Sequence, residues 1–218
     1  MSLVFPCLYA IIDATSLTMP ELALAEALAG SGVELIQYRN KTATSRQLFE
    51  VSRQLSKTLR PLGVRFIVND RPDIALLAGA GGVHVGQEDL GVEEARSIGD
   101  SAGLRDWWVG VSTHSLEQVI AADRTSADYI AFGPIFPTTT KQYPDAVVGT
   151  DLLRRARQLT SKPLVAIGGI TLQRAAEVYR AGADSLAVVR DLICAPDPGA
   201  RASEFLEVAV SSESRRAG

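Results

Sequence analysis

The sequence contains little cysteine, little histidine and no long apolar run. Only Cys7 and Cys194 occur, at opposite ends of the 218 residues, so neither a disulfide framework nor a cysteine-rich metal site is expected. This cysteine usage is typical of a cytoplasmic protein. The apolar start, Leu3 to Ile12, is too short to span a bilayer, and no membrane association is predicted. The net charge of −3 argues against binding nucleic acid through bulk charge.

The composition indicates one folded domain. Hydrophobic residues make up 46% and charged residues 22%, near the average for globular proteins. The length suits a single hydrophobic core, and no linker rich in Pro, Gly or Ser divides the chain. We therefore expect a single domain over residues 1–218, with a core from about residue 7 to residue 210 and a disordered tail at 211–218.

Short apolar strands alternate with amphipathic helices along the whole chain. The strands are continuous apolar runs, as expected where helices cover both faces of a parallel sheet. The eight predicted strands are Cys7–Asp13, Val33–Tyr38, Val64–Asn69, Gly82–Val85, Trp107–Val111, Tyr129–Gly133, Pro163–Ile167 and Ser185–Val189. Capping boxes predict three of the helix starts, at Thr18 to Glu21, Thr44 to Gln47 and Ser115 to Gln118.

Eight such units predict an α/β fold, a single (β/α)8 TIM barrel. A doubly wound open sheet is the alternative. No G-x-G-x-x-G follows the first strand, which disfavours the dinucleotide-binding version of that fold.

In a barrel, the residues that carry chemistry follow the carboxyl ends of the strands. Alternation along the second strand places Gln37, Arg39 and Lys41 on one side. With Asn69 and Lys141 they form a set of donors suited to a polyphosphate. Each residue alone also has an ordinary structural interpretation. The functional interpretation depends on how many of them gather at strand ends.

Two further groups at strand ends indicate a metal and a second anion. Asp70 and Asp89 supply the oxygen ligands that Mg²⁺ prefers, and phosphate oxygens would complete its shell. Gly168 and Gly169, with the end of the eighth strand, are typical of the recurrent phosphate site of barrels. Two anion sites predict that two phosphorylated small molecules bind together.

Catalytic nucleophiles and bases are scarce. There is no G-x-S-x-G elbow and no H-E-x-x-H, and His84 and His114 are the only histidines. His84, inside an apolar strand, is interpreted as a core residue, and His114 as a residue at a helix start. A site rich in anion donors but poor in bases favours departure of a stabilised leaving group, such as pyrophosphate on magnesium.

Six ordered motifs resemble the thiamine-phosphate synthase family. They cover nearly the whole chain and are Gln37–Lys41, Asn69–Arg71, Gly82–Asp89, Gly110–His114, Gly133–Lys141 and Ala166–Ile170. The resemblance implies a TIM barrel that joins a pyrimidine diphosphate to a thiazole phosphate and releases pyrophosphate. Lys41, Asp89 and Lys141 are all present, which distinguishes the chain from the related thiazole tautomerases.

The resemblance also implies roles for individual residues. Mg²⁺ would be held by Asp70 and Asp89, and catalysis would depend on Arg39, Lys41, Lys141 and Ser112. The residues expected to bind substrates are Gln37, Tyr38, Arg39, Asn40, Lys41, Asn69, Ser112, Thr138, Thr139, Thr140, Lys141, Gly168, Gly169, Val189 and Arg190. Arg190 departs from the serine common in the family, which places its corner of the phosphate site in question.

Three alternatives stay open at this point. A thiazole tautomerase would use His114 as acid or base, and a phosphate-binding sensor would need no metal carboxylates. An epimerase-like barrel would need an acid/base pair that the sequence does not show. The sequence also leaves open whether the chain forms a homo-oligomer and whether the thiazole carries a carboxylate.

Overall fold

Eight parallel strands close into a barrel in the computed structural model, which describes residues 5–138 and 146–214. The strands are β1 (Leu8–Asp13), β2 (Leu35–Arg39), β3 (Arg65–Asn69), β4 (Gly82–Val85), β5 (Trp108–Thr113), β6 (Tyr129–Phe132), β7 (Leu164–Ile167) and β8 (Ser185–Val188). Each strand pairs with the next in sequence, and β8 closes on β1 with Leu186 opposite Leu8. The predicted (β/α)8 TIM barrel is therefore confirmed, and the open sheet is excluded.

Helices follow the strands around the outside of the barrel. They are α1 (Glu21–Gly30), α2 (Ser45–Leu59), α3 (Pro72–Ala78), α4 (Val92–Ser101), α5 (Leu116–Asp123), α6 (Gly149–Arg157), α7 (Leu172–Arg180), α8 (Arg190–Ile193) and α9 (Pro198–Ser214). No helix within the described ranges has both the length and the apolar character needed to cross a membrane. Because α9 extends to Ser214, residues 211–214 are helical rather than part of the disordered tail expected from residue 211.

Alternation along the strands divides the core into two layers. Side chains such as Tyr9, Leu35 and Tyr129 fill the inside of the barrel, whereas Ile12, Ile36 and others pack between the strands and the helices. Both faces of every strand are buried, which explains why the strands appear in the sequence as continuous apolar runs.

The structure corrects one of the three predicted helix starts. Thr44 forms a complete capping box with Gln47, and Ser115 accepts a hydrogen bond from the Gln118 backbone. The Thr18 prediction is wrong, because α1 begins after Pro20 without a side-chain cap. The Thr18 hydroxyl instead donates to the Ile193 carbonyl, 3.1 Å away, and ties the first helix connection to α8.

Candidate functional site

A cavity of about 420 Å³ opens at the carboxyl ends of the strands. Its position is the one expected for the active site of a TIM barrel. Of the residues predicted to bind substrates, those that line it are Gln37, Arg39, Asn69, Ser112, Thr138, Gly168, Gly169, Val189 and Arg190. Residues separated by up to 153 positions in the sequence, from Gln37 to Arg190, therefore surround one cavity.

Arg39 reaches the cavity from the end of β2 and is held by a buried partner. Its guanidinium donates to Asp13, whose side chain is fully buried at the end of β1. Asp13 also accepts hydrogen bonds from the Thr15 backbone and hydroxyl, at 3.0 and 2.6 Å. The carboxylate therefore orients the guanidinium beside the cavity, where it can meet an anion.

The two predicted metal ligands lie side by side at the rim of the barrel. Asp70 pairs with Lys41, and its side chain is within hydrogen-bonding reach of Asp89. Asp89 in turn accepts a hydrogen bond of 2.8 Å from the Gly86 backbone. Burial, opposed by Lys41 and reinforced by Asp89, raises the pKa of Asp70 above its ordinary value.

This pair fits a divalent cation. Two carboxylates in contact repel each other when both are charged, and a cation between them removes that cost. Within the described residues no cluster of three or more His, Cys, Asp or Glu is suited to a metal, but Mg²⁺ bound together with a diphosphate needs only one or two carboxylates. Lys41, Asp70 and Asp89 follow the carboxyl ends of β2, β3 and β4 and do not belong to the cavity lining.

The raised pKa of Asp70 predicts that Asp70→Asn stabilises the metal-free protein near neutral pH. A group whose pKa is raised on folding contributes stability at low pH that is lost as the pH rises through the folded-state pKa. Asn keeps the neutral form at every pH and tolerates the φ of +64° at this position. Thermal unfolding in the presence of a chelator should show a higher Tm than wild type at about pH 7, with the difference shrinking toward the ordinary carboxyl pKa of 3.8.

Asp73 offers a matched control for that measurement. Its hydrogen bonds from Arg71 lower its pKa, so Asp73→Asn should leave Tm unchanged or reduce it at neutral pH. A lower Tm for Asp70→Asn than for wild type in the chelated protein would contradict the expected repulsion.

A buried polar chain crosses the inside of the barrel and ends at the cavity. We use this name for Gln37, Tyr9, Tyr129, His84 and Ser112. The Tyr9 hydroxyl donates to Gln37 Oε1 at 2.7 Å and lies 2.8 Å from the Tyr129 hydroxyl. The Tyr129 hydroxyl is 3.1 Å from His84 Nδ1, and His84 Nε2 is 2.8 Å from Ser112 Oγ. The chain therefore connects Gln37 and Ser112, both of which line the cavity, through groups away from solvent.

The opposite wall is formed by the loops after β7 and β8. Gly168 and Gly169 have φ of +93° and +63°, and a Cβ on either would come within 2.6 Å of the backbone that follows β6. Only glycine allows this close passage of two loops. Arg174, in the first turn of α7, donates to the Gly169 carbonyl at 2.8 Å and stacks over the Phe136 ring. Arg174 and Arg190 both line the cavity here and supply positive charge for an anion.

Two residues predicted to contact substrate, Tyr38 and Asn40, do not line the cavity. The Tyr38 side chain points away from the barrel interior, packs in the helix layer and donates to Glu21 at 3.3 Å. Asn40 donates to the Tyr38 hydroxyl and accepts from the Thr42 and Ala43 backbones, so its amide serves the loop before α2. Alternation on β2 explains the position of Tyr38, because it lies between two inward-facing residues.

Three predicted residues, Thr139, Thr140 and Lys141, lie outside the described residues. Sequence reasoning also missed residues that line the cavity. Tyr9 and Arg174 were not singled out, and His84 was interpreted as a core residue only. His84 is indeed buried, yet it also reaches the cavity. His114 lines the cavity too, and its Nδ1 donates to the Gly133 carbonyl at 2.6 Å.

Comparison with known proteins gives a consistent result. The family model described as thiamine monophosphate synthase matches residues 8–192. The chain belongs to this family. It is 49% identical to the thiamine-phosphate synthase of Koribacter versatilis, over 93% of this chain and 95% of that protein. It is 44% identical to the Chloroflexus aurantiacus thiamine-phosphate synthase, over 91% and 90% of the two chains.

A solved structure supports both the family and the fold. The thiamine phosphate pyrophosphorylase from Pyrococcus furiosus superposes with a TM-score of 0.84 at 32% identity, over 94% of this chain and 96% of that one. The family resemblance indicated by the six sequence motifs is therefore confirmed.

Proposed function

We propose that the protein is a thiamine-phosphate synthase, a transferase that joins 4-amino-2-methyl-5-(diphosphooxymethyl)pyrimidine to 4-methyl-5-(2-phosphooxyethyl)thiazole and releases pyrophosphate. One observation carries the proposal. The carboxyl ends of the strands of one barrel carry the Asp70–Asp89 pair, after β3 and β4, and a cavity lined by Arg39, Gly168, Gly169 and Arg190. Two anionic substrates can therefore be held on either side of one reacting centre.

On the first side, the residues suit a diphosphate. Arg39, fixed by Asp13, offers a planar fork of donors, and Lys41 adds a second charge beside Asp70. Mg²⁺ held by Asp70 and Asp89 would neutralise negative charge on the diphosphate oxygens. Gln37, Asn69 and Ser112 line the same cavity as Arg39 and would contact the pyrimidine ring.

On the second side, the residues suit a monophosphate. The backbone of Gly168, Gly169 and Val189 lines the cavity, and Thr138 and Arg190 border it. Arg174 joins this group, although the sequence did not single it out. A thiazole phosphate held here would direct its ring toward the pyrimidine.

The proposed chemistry needs no general base. The bond between the pyrimidine methylene and the diphosphate oxygen breaks, and pyrophosphate leaves with the electron pair. The thiazole nitrogen then donates its lone pair to the resulting pyrimidine carbocation, and a C–N bond forms. Because no proton is transferred in either step, a cavity lined with cationic and hydrogen-bonding groups is sufficient.

The direct test is an assay of pyrophosphate release with both substrates present and each omitted in turn. Release is expected only when both substrates and Mg²⁺ are supplied. Release of pyrophosphate that does not depend on the thiazole phosphate, or none at all, would contradict the proposal.

The tautomerase and sensor alternatives make a different prediction. Neither needs a metal-dependent pyrophosphate site, so neither accounts for the adjacent Asp70 and Asp89 carboxylates. Conversion of a thiazole tautomer by the purified protein, lost in His114→Gln, would favour the tautomerase.

Lys141→Ala is expected to slow the chemical step by about 10²-fold or more, because removing a fixed charge that stabilises a leaving group has effects of this size. Single-turnover measurements with both substrates bound would check it. Lys57→Ala, which removes an exposed lysine from α2, is the control and should retain wild-type turnover. Full turnover by the Lys141→Ala enzyme would refute the proposed role.

A further inference from the structure

The buried polar chain has a direction, because each hydroxyl in it carries a single proton. Gln37 Nε2 donates to Asn69 Oδ1 at 3.4 Å, which leaves Gln37 Oε1 to accept the Tyr9 proton. With its proton used, Tyr9 can only accept from the Tyr129 hydroxyl. Burial raises the pKa of both tyrosines, so both remain protonated donors.

The direction of the hydrogen bonds continues from Tyr129 to the cavity. Since Tyr129 gives its proton to Tyr9, its oxygen accepts from His84 Nδ1–H. A neutral imidazole protonated at Nδ1 has only a lone pair at Nε2. His84 Nε2 therefore accepts the Ser112 proton, and Ser112 presents oxygen lone pairs to the cavity.

We infer that Tyr9, Tyr129 and His84 are positioning residues that hold Ser112 as a hydrogen-bond acceptor and so select a substrate with an N–H group at this point. The inference rests on the proposed function, in which the pyrimidine lies against Ser112 and its exocyclic amino group supplies the N–H. A pyrimidine with an oxygen at that position would place this oxygen against Ser112 Oγ. Both atoms are acceptors, so neither would have a donor.

The first test is the tautomer of His84 in the metal-free full-length protein. At about pH 8, where an ordinary histidine is neutral, ¹⁵N NMR should show His84 protonated at Nδ1 and not at Nε2. The chain has only two histidines, so the His114→Gln variant assigns the signals. Protonation of His84 at Nε2 would reverse the direction of the hydrogen bonds along the buried polar chain and overturn the inference.

The second test measures ligand preference. The two ligands are pyrimidine diphosphate analogues in which a methylene replaces the oxygen between the pyrimidine methylene and the first phosphorus atom, so that neither can react. One carries a 4-amino group and the other a 4-methoxy group. In the presence of Mg²⁺, calorimetry should show wild type binding the amino compound more tightly. Tyr129→Phe lets His84 adopt either tautomer, so the preference should fall by about tenfold, the usual effect of relieving one unsatisfied buried polar contact.

A matched control removes a different tyrosine hydroxyl. Tyr179 donates to the Cys7 carbonyl at 2.8 Å, at the opposite end of the barrel, and Tyr179→Phe should keep the wild-type preference. Ser112→Ala should reduce the preference for the amino compound as much as Tyr129→Phe does. The double variant should reduce it no further, because both changes act through one contact.

The outcomes separate this inference from the proposed function. If both analogues bind but Tyr129→Phe keeps the full preference, the inference is overturned and the proposed function stands. If neither analogue binds to the wild-type protein with Mg²⁺, the proposed substrate site fails and the inference fails with it.

Discussion

Asp89→Asn is expected to lower kcat/KM by on the order of 10³-fold at a fixed Mg²⁺ concentration, because a metal at a departing phosphate supplies several kcal/mol of stabilisation. The substitution preserves the loop, since an amide oxygen can still accept the 2.8 Å hydrogen bond from the Gly86 backbone. What it removes is the negative charge of one of the two carboxylates proposed to hold the metal. Steady-state assays over a range of Mg²⁺ concentrations would measure the effect.

The neighbouring Glu88 provides the matched control. It is an exposed carboxylate one residue away, and Glu88→Gln should change neither turnover nor Mg²⁺ dependence by more than about twofold. For Asp89→Asn, higher Mg²⁺ should restore part of the activity. An unaltered Mg²⁺ dependence in that variant would show that Asp89 does not hold the metal.

Arg39→Ala is expected to lower kcat/KM for the pyrimidine diphosphate by about 10²- to 10³-fold, the range found when one fixed donor to a developing charge is removed. Arg39→Lys should recover only part of the loss, because lysine lacks the planar fork that binds two oxygens at once. Kinetics with the pyrimidine diphosphate as the varied substrate would test both variants.

Stability must be separated from chemistry in this experiment. Arg39→Ala leaves the fully buried Asp13 without its partner, and stranding a buried charge costs about 3–5 kcal/mol. The double variant Asp13→Asn/Arg39→Ala removes the stranded charge and should remain as inactive as the single variant. Arg180→Ala, at the exposed end of α7, is the control for losing an arginine. Restored activity in the double variant would show that Arg39 serves folding rather than catalysis.

Much of the fold could be predicted because parallel barrel strands are buried on both faces and leave a clear apolar signal. The predicted Gly82–Val85 strand matches the observed strand to the residue, and Val64–Asn69 differs only at its first position. The carboxyl-end rule also predicts functional positions for Asn69, Ser112 and Gly169, and all three line the cavity.

The other residues at the cavity could not be predicted, because their positions depend on contacts between distant parts of the sequence. Tyr9 and Tyr129 lie 120 positions apart, and each looks like ordinary core in an apolar run. Only the register of the closed barrel shows that their hydroxyls meet inside it and that the Tyr129 hydroxyl also contacts His84. Arg174 escaped prediction for a different reason, because it reaches the cavity from a helix rather than from a strand end.

The proposed function requires this barrel mouth to bind a diphosphate through a metal held by Asp70 and Asp89. Calorimetric titration of pyrophosphate into the wild-type protein, with Mg²⁺ and with a chelator, tests it most directly. Pyrophosphate binding should weaken at least about tenfold without Mg²⁺, and the Mg²⁺ effect should be lost in the Asp70→Asn/Asp89→Asn variant. Equal pyrophosphate affinity with and without Mg²⁺ in the wild-type protein would contradict it.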